Sequence, residues 1–226
     1  TPTMPAMSVT GGSGQNALII DHSAAPGATP EAWQLTGPNS GQASGAANVA
    51  FGNIQSLVGG AGTDTLEGPT SNAAWNVTGP GSGTVAGTSF SGFENLQGAA
   101  NNDDTFVFTP GGSINGGIDG GAGGFDTLVM DGNFNSVAMA ATNGNAGSVT
   151  LDGNTIDYAG LEPIALDGTA NNLVIDLPTT NTSGGADTVT LAAGATAGQL
   201  TLSSAGGDFE TTSFDIPTQS LTIDLG

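Results

Sequence analysis

Apolar residues along the chain fall in short runs separated by turn-forming residues. NALIID (16–21), WQLTG (33–37), IQSLV (54–58), WNVTG (75–79), DTFVF (104–108), DTLVMDG (126–132), NLVIDL (172–177) and SLTIDLG (220–226) are typical, with β-branched or alternating apolar positions. Further runs of the same kind lie between them, such as SVTLDG (148–153) and NTIDYAG (154–160). No long stretch keeps a helical apolar period, and Gly interrupts nearly every window that could hold one. Many short strands punctuated by Gly, Asn, Thr and Ser predict an all-β protein.

Internal repetition narrows the architecture. WQLTGPNSG begins at Trp33 and WNVTGPGSG at Trp75. Downstream of each, Phe51 aligns with Phe90, Ile54 with Phe93 and Leu57 with Leu96. A D-T-apolar element recurs at Asp64, Asp104, Asp126 and Asp187, in steps close to multiples of about 20 residues, a usual length for one turn of a repeat protein. The expected fold is a parallel β-solenoid (β-helix) with coils of about 20–22 residues, each apolar position stacking on its equivalent. A β-sandwich, whose strands recur at similar density, is the alternative. The chain divides into an N-terminal extension or assembly segment (1–15), solenoid repeats carrying the Trp33/Trp75 pair (16–132), and a continuing solenoid with a second repeat type (133–226).

Charge changes the picture most. Twenty Asp and Glu face no Lys and no Arg, for a formal charge of −20. Beyond the N-terminal amine and His22, nothing can form an internal salt bridge. Carboxylate repulsion must be relieved by spacing, backbone N–H groups, salt or bound cations. Nucleic acid and anionic membranes attract Lys and Arg, so neither is an expected partner. No apolar run approaches the ~20 residues of a membrane-spanning helix, and no membrane insertion is expected. Enzymes that stabilise developing negative charge would have only a metal to use here. There is no Cys and hence no disulfide or thiolate chemistry. The opening TPTMPAMSV lacks a basic and an apolar region and does not read as a signal peptide. The chain reads as a processed product or a piece of a longer one.

A hard divalent cation suits this inventory, because Gly-rich turns expose carbonyls and a following Asp supplies a carboxylate. One turn offers two or three oxygens where calcium takes six to eight, so two stacked turns are needed. Asp104 and Asp126 would sit on adjacent coils with Asp103 and Asp119 close by; Asp187 and Asp208 would form a second pair. Asp64, in GGAGTDTLEG (59–68), is a ligand only if a neighbouring coil completes its shell. The competing reading is that these Asp side chains simply satisfy turn N–H groups. His22 lacks the partners of a zinc site or triad. Asp103–Asp104 or Glu94 could serve a paired-carboxylate glycosidase, but aromatics are few and no basic group could grip a sugar. Thr shows no sustained ladder of the kind ice binding needs, and Asn101–Asn102 and Asn171–Asn172 read as ladders of stacked turns.

Residues 59–67 match the nonapeptide G-G-x-G-x-D-x-U-x, where U is a large apolar residue. With GTDTLEGPTSNAAWNVTGPGSGTVAGTSFSGFENLQGAANNDDTFVF, SVTLDGNTIDYAGLEPIALDG and FETTSFDIPTQSLTIDLG, the chain from about residue 16 onward resembles segments of giant secreted bacterial surface proteins, filamentous-haemagglutinin-like or RTX-like. That resemblance implies a calcium-stabilised adhesin, surface-layer or matrix component, secreted and cell-surface located, self-associating or packed against neighbouring repeats of a longer chain. Polysaccharide or the cell surface would be its target. The sequence departs from a true RTX roll: GAANNDDTF (98–106), GGAGGFDTL (120–128) and GGADTV (184–189) all break the nonapeptide. A nine-residue roll and its ligand scheme are therefore not expected.

Overall fold

The computed structural model describes residues 7–21, 30–45, 48–178 and 188–225, and within them the protein is all-β, without a helix, in two large mixed sheets of 12 and 11 strands. The chain visits the sheets in alternation. β1 (Met7–Thr10) lies in the first sheet and β2 (Ala17–Ile19) in the second. Three strands of the first sheet follow, β3 (Ala32–Gly37), β4 (Ser40–Ser44) and β5 (Val49–Gly52), then β6 (Ser56–Val58) in the second and β7 (Thr65–Glu67) in the first. The second sheet then takes β8 (Ala74–Gly79), β9 (Ser82–Val85) and β10 (Thr88–Ser91). Single strands alternate next: β11 (Asn95–Gln97), β12 (Thr105–Phe108), β13 (Gly117–Asp119) and β14 (Thr127–Met130). The first sheet takes β15 (Asn133–Asn143), β16 (Ala146–Leu151) and β17 (Asn154–Ala159); β18 (Ile164–Leu166) is in the second and β19 (Thr169–Asp176) in the first. β20 (Val189–Ala193), β21 (Gln199–Ser204) and β22 (Thr212–Asp215) return to the second sheet, and β23 (Ser220–Asp224) to the first.

Each group of three is an antiparallel meander; every other pairing of named strands is parallel. A sandwich is antiparallel throughout and a plain solenoid parallel throughout, so the mixed ladders match neither sequence expectation in full. The meanders also explain why the expected step of 20–22 residues holds in only part of the chain. Asp104 and Asp126, with no meander between them, lie 22 apart, whereas neighbours across a meander lie 31, 36 or 48 apart.

The meanders fall alternately in the first and second sheets. Each adds two extra strands, about 10 Å of sheet width, so alternation keeps the two sheets level. It also corrects the stacking expected for the Trp33/Trp75 repeat. Between the two Trp the chain crosses between the sheets three times, an odd number, which places Trp33 in β3 of the first sheet and Trp75 in β8 of the second. The equivalents therefore do not stack. In register Trp33 faces Leu66, and Trp75 faces Phe106.

What repeats is the local packing. Trp33 lies 6.0 Å from Phe51 and Trp75 6.0 Å from Phe90, each pair joining the first and third strands of its meander. The ring can cross the middle strand only because Gly41 and Gly83 stand there: a Cβ would come within 2.7 Å of the Phe51 ring and 3.1 Å of the Phe90 ring. Gly147 serves Tyr158 in the third meander in the same way. Inward side chains of both sheets form one apolar cluster running from Ile20 to Phe214.

Candidate metal centre

Turns carry the chain between sheets on two opposite sides of the molecule, and the carboxylates singled out in the sequence lie on both. In parallel pairing the N–H at the entrance to each strand has no partner within the ladder. Carboxylates placed just before the strands supply it. On one side Asp64 Oδ1 accepts the Glu31 N–H at 2.8 Å and Oδ2 the Gly60 N–H at 2.7 Å, while the Asp64 N–H donates to Glu94 Oε2 at 2.8 Å. On the other side Asp104 Oδ1 accepts the Ala73 N–H at 2.7 Å, and Asp126 Oδ1 accepts the Asp104 N–H at 2.7 Å. Each turn thus hands an N–H to the carboxylate of the next. These charge-assisted bonds are the strong kind, and Asp64, Asp104 and Asp126 are 0, 0 and 3 % exposed.

Asp64 therefore stands apart from Asp104 and Asp126, on the opposite side of the molecule, with both oxygens already accepting backbone N–H groups. Asp103, Asp104, Asp119 and Asp126 are brought together. Asp103 is exposed and accepts the Phe125 N–H at 2.9 Å; Asp119 is exposed and accepts the Gly121 N–H at 2.9 Å. Asp208 is buried in the β21–β22 loop, its N–H on Ser204 Oγ at 2.9 Å. Asp187, the proposed partner of Asp208, lies outside the described residues, as does His22. Asn171 and Asn172 do form a ladder, bonding Asn135 on β15 and Thr218 and Ser220 toward β23.

The cluster is electrostatically strained. Burial raises the Asp104 carboxyl above the usual carboxylate range, against the opposing pull of the Ala73 N–H, the Asn102 amide and the Ala99 N–H. Asp126 is raised first by burial and then by the charges of Asp104, Asp103 and Asp119, with the Asp104 N–H opposing. Asn102 donates to Asp104 Oδ1 at 2.8 Å, leaving its own Oδ1 buried without a donor; Asp104 Oδ2 faces the Ala99 N–H without closing a hydrogen bond. Buried acceptors of this kind cost free energy unless something positive meets them. Among the described residues no three acidic or His side chains converge as a ready-made metal cage. Any cation would therefore draw on amide and peptide oxygens as well as carboxylates, which is how calcium is commonly held.

Sequence reading missed a second acidic group. Glu210, 2 % exposed before β22, accepts the Tyr158 hydroxyl from β17, tying the second sheet to the first. Burial pushes its carboxyl up to about 7, with the Glu162 charge adding to the rise and its own N–H and Tyr158 opposing it. In GDFETTSF (207–214) only Phe209 beside it is apolar, so no local pattern signals the burial of Glu210. Beside Asp126, a cavity of about 170 Å³ is lined by Gly121, Gly123, Gly124, Phe125, Asn145, Gly160 and Glu162. No family model matches the chain, and no curated protein or solved structure matches it.

Proposed function

We propose that the protein is a non-enzymatic, extracellular structural or adhesive module of a bacterial cell surface, calcium-stabilised, and able to extend by adding strands at its sheet edges. On this reading the fold is a parallel solenoid interrupted by meanders. The observation that carries it is the sense of the edge strands. Following the pairings through each sheet, β1 runs parallel to β23 and β2 parallel to β20. A second copy, or a neighbouring repeat of a longer chain, can therefore continue both sheets in the same parallel sense. Among the described residues these edges also expose apolar side chains: Met7 and Val9 on β1, Ile19 on β2, Leu191 on β20 and Leu221 on β23. Contact between unlike ends is heterologous and grows a fibre rather than a closed dimer. Dense −20 bodies repel one another, which gives calcium a role in assembly as well as in the turns around Asp103, Asp104, Asp119 and Asp126.

A carbohydrate-binding or carbohydrate-active reading has one observation in its favour. The outer face of the second sheet holds a groove of about 620 Å³ lined in part by Thr105, Val107, Val129, Asp131, Asp167 and Asp215. No aromatic side chain lines it, so it lacks the stacking platform that sugar rings use, and the structural reading is preferred.

Light scattering across a protein concentration series tests assembly. The unmodified protein is expected to grow in mass with concentration, more so with calcium. Val9→Lys and Leu221→Lys, which place a charge on an exposed edge position, are expected to hold it as a monomer. Monodisperse monomers of the unmodified protein at every concentration, with and without calcium, would overturn the assembly claim.

A further inference from the structure

We propose that Asn143 is a site of spontaneous deamidation directed by the fold: its side-chain amide closes on the Gly144 nitrogen, and the succinimide so formed opens to isoaspartate or aspartate. The sequence offers this chemistry twice, at Asn115–Gly116 and Asn143–Gly144, the two places where Asn precedes Gly. Gly suits the step because no Cβ shields the attacking nitrogen. The structure separates the two places. The Gly116 N–H donates to the Glu94 carbonyl at 2.8 Å, so its nitrogen attacks only after that bond is broken. The Gly144 N–H makes no hydrogen bond among the described residues. It lies in the two-residue return between β15 and β16, flanked by the exposed Asn143 and Asn145.

The Asn143 side chain is also set for the step. Its Oδ1 accepts the Asn145 N–H at 3.0 Å, which folds the amide back across the peptide unit that contains the Gly144 nitrogen. When that nitrogen attacks Cγ, negative charge develops on Oδ1, and a donor placed there beforehand stabilises it. A solvent base takes the Gly144 proton, the N–Cγ bond forms, and the Cγ–Nδ2 bond breaks with release of ammonia. Water then opens the ring at either carbonyl, without oxidation or reduction. Opening at the main-chain carbonyl leaves isoaspartate, which adds a methylene to the backbone of the tight return. Gly144 packs there against the Gly207 carbonyl, with no room for a Cβ, so the change reaches the loop before β22. Either product adds a carboxylate that no Lys or Arg of this chain can pair.

Incubation of the full chain at neutral pH, followed by cleavage before Asp and mass spectrometry, tests the site. That cleavage places Asn115 in peptide 104–118 and Asn143 in peptide 131–151. Conversion of amide to acid is followed in each, and a new cut before residue 143 counts as conversion. The expected result is conversion in 131–151 about tenfold faster than in 104–118, the rate equivalent of one hydrogen bond that must first break. In urea, where both Asn–Gly pairs are freed, the two rates are expected to converge. Asn143→Gln, whose longer side chain closes this ring poorly, is expected to abolish the fast conversion while the circular dichroism spectrum stays unchanged. Equal rates in the folded protein, or faster conversion at Asn115, overturn the proposal. So does a difference that persists in urea, which would place its cause in the local sequence. Undiminished conversion of 131–151 in Asn143→Gln would assign it to another Asn of that peptide and likewise overturn it.

Discussion

Replacing Trp75 with alanine is expected to cost about 3–5 kcal/mol of stability, the range for removing a large aromatic from a packed core. Trp75 is fully buried, stacked on Phe106 at 5.2 Å and 15° and edge-on to Phe90 at 6.0 Å. It joins a meander to the strand that continues the sheet, so its loss opens a cavity where neither neighbour can collapse without disturbing the other. Its indole N–H has no acceptor, so the ring is held for its shape and apolar area. Trp75→Phe keeps one aromatic ring and leaves a smaller cavity, so it should cost clearly less than Trp75→Ala. Denaturant unfolding of the two variants measures the difference. A Trp75→Ala cost below that of Trp75→Phe would refute the packing account.

Raising the pH from 4.5 to 8 is expected to destabilise the protein, in EDTA and at constant ionic strength. Glu210 carries the largest single part. Its folded carboxyl is pushed up to about 7, whereas the ordinary value is 4.5. Between those values the unfolded chain releases the proton and the folded chain keeps it, so stability is full below about 4.5 and falls as pH rises through 7. The difference corresponds to about 3 kcal/mol. Asp104 and Asp126, also raised, act in the same direction, and self-repulsion among twenty carboxylates adds to it. Glu210→Gln keeps a partner for the Tyr158 hydroxyl and removes this titration. The gap between its stability and that of the unmodified protein should widen by about 3 kcal/mol across the window. Parallel pH profiles would show that Glu210 is not the group responsible.

Strand content was legible because period-two runs such as WQLTG and DTFVF report burial directly: Trp33 and Leu35 point inward around Gln34, and Phe106 and Phe108 around Val107. The meanders were legible too, in signals the repeat reading passed over. Asp152–Gly153, at φ 48 and 94°, turns SVTL back onto NTID; D-G is among the strongest hairpin pairs. Pro38–Asn39 and Pro80–Gly81, with φ 58 and 54° at the second residue, turn each Trp strand back on itself. A fixed ruler of about 20 residues had no room for such returns.

At the site, the ruler placed Asp104 and Asp126 on neighbouring turns because no meander separates them. It said nothing of Asp64 lying on the other side, since one sheet crossing more or less reverses the side without altering the spacing much. Glu162 and Asn145 reach the cavity beside Asp126, and Glu210 reaches Tyr158, only through long-range pairing at the third and fourth meanders, and no local motif marks them.

Thermal unfolding in EDTA, calcium chloride, magnesium chloride and ionic-strength-matched sodium chloride tests the central claim most directly. Calcium held by the folded state alone should raise stability as RT ln(1 + [L]/Kd), about 2.7 kcal/mol at 100-fold excess over Kd. The account predicts a melting temperature that climbs with calcium beyond the shift given by sodium chloride, with magnesium in between. Melts that coincide in calcium and in matched sodium chloride would contradict it.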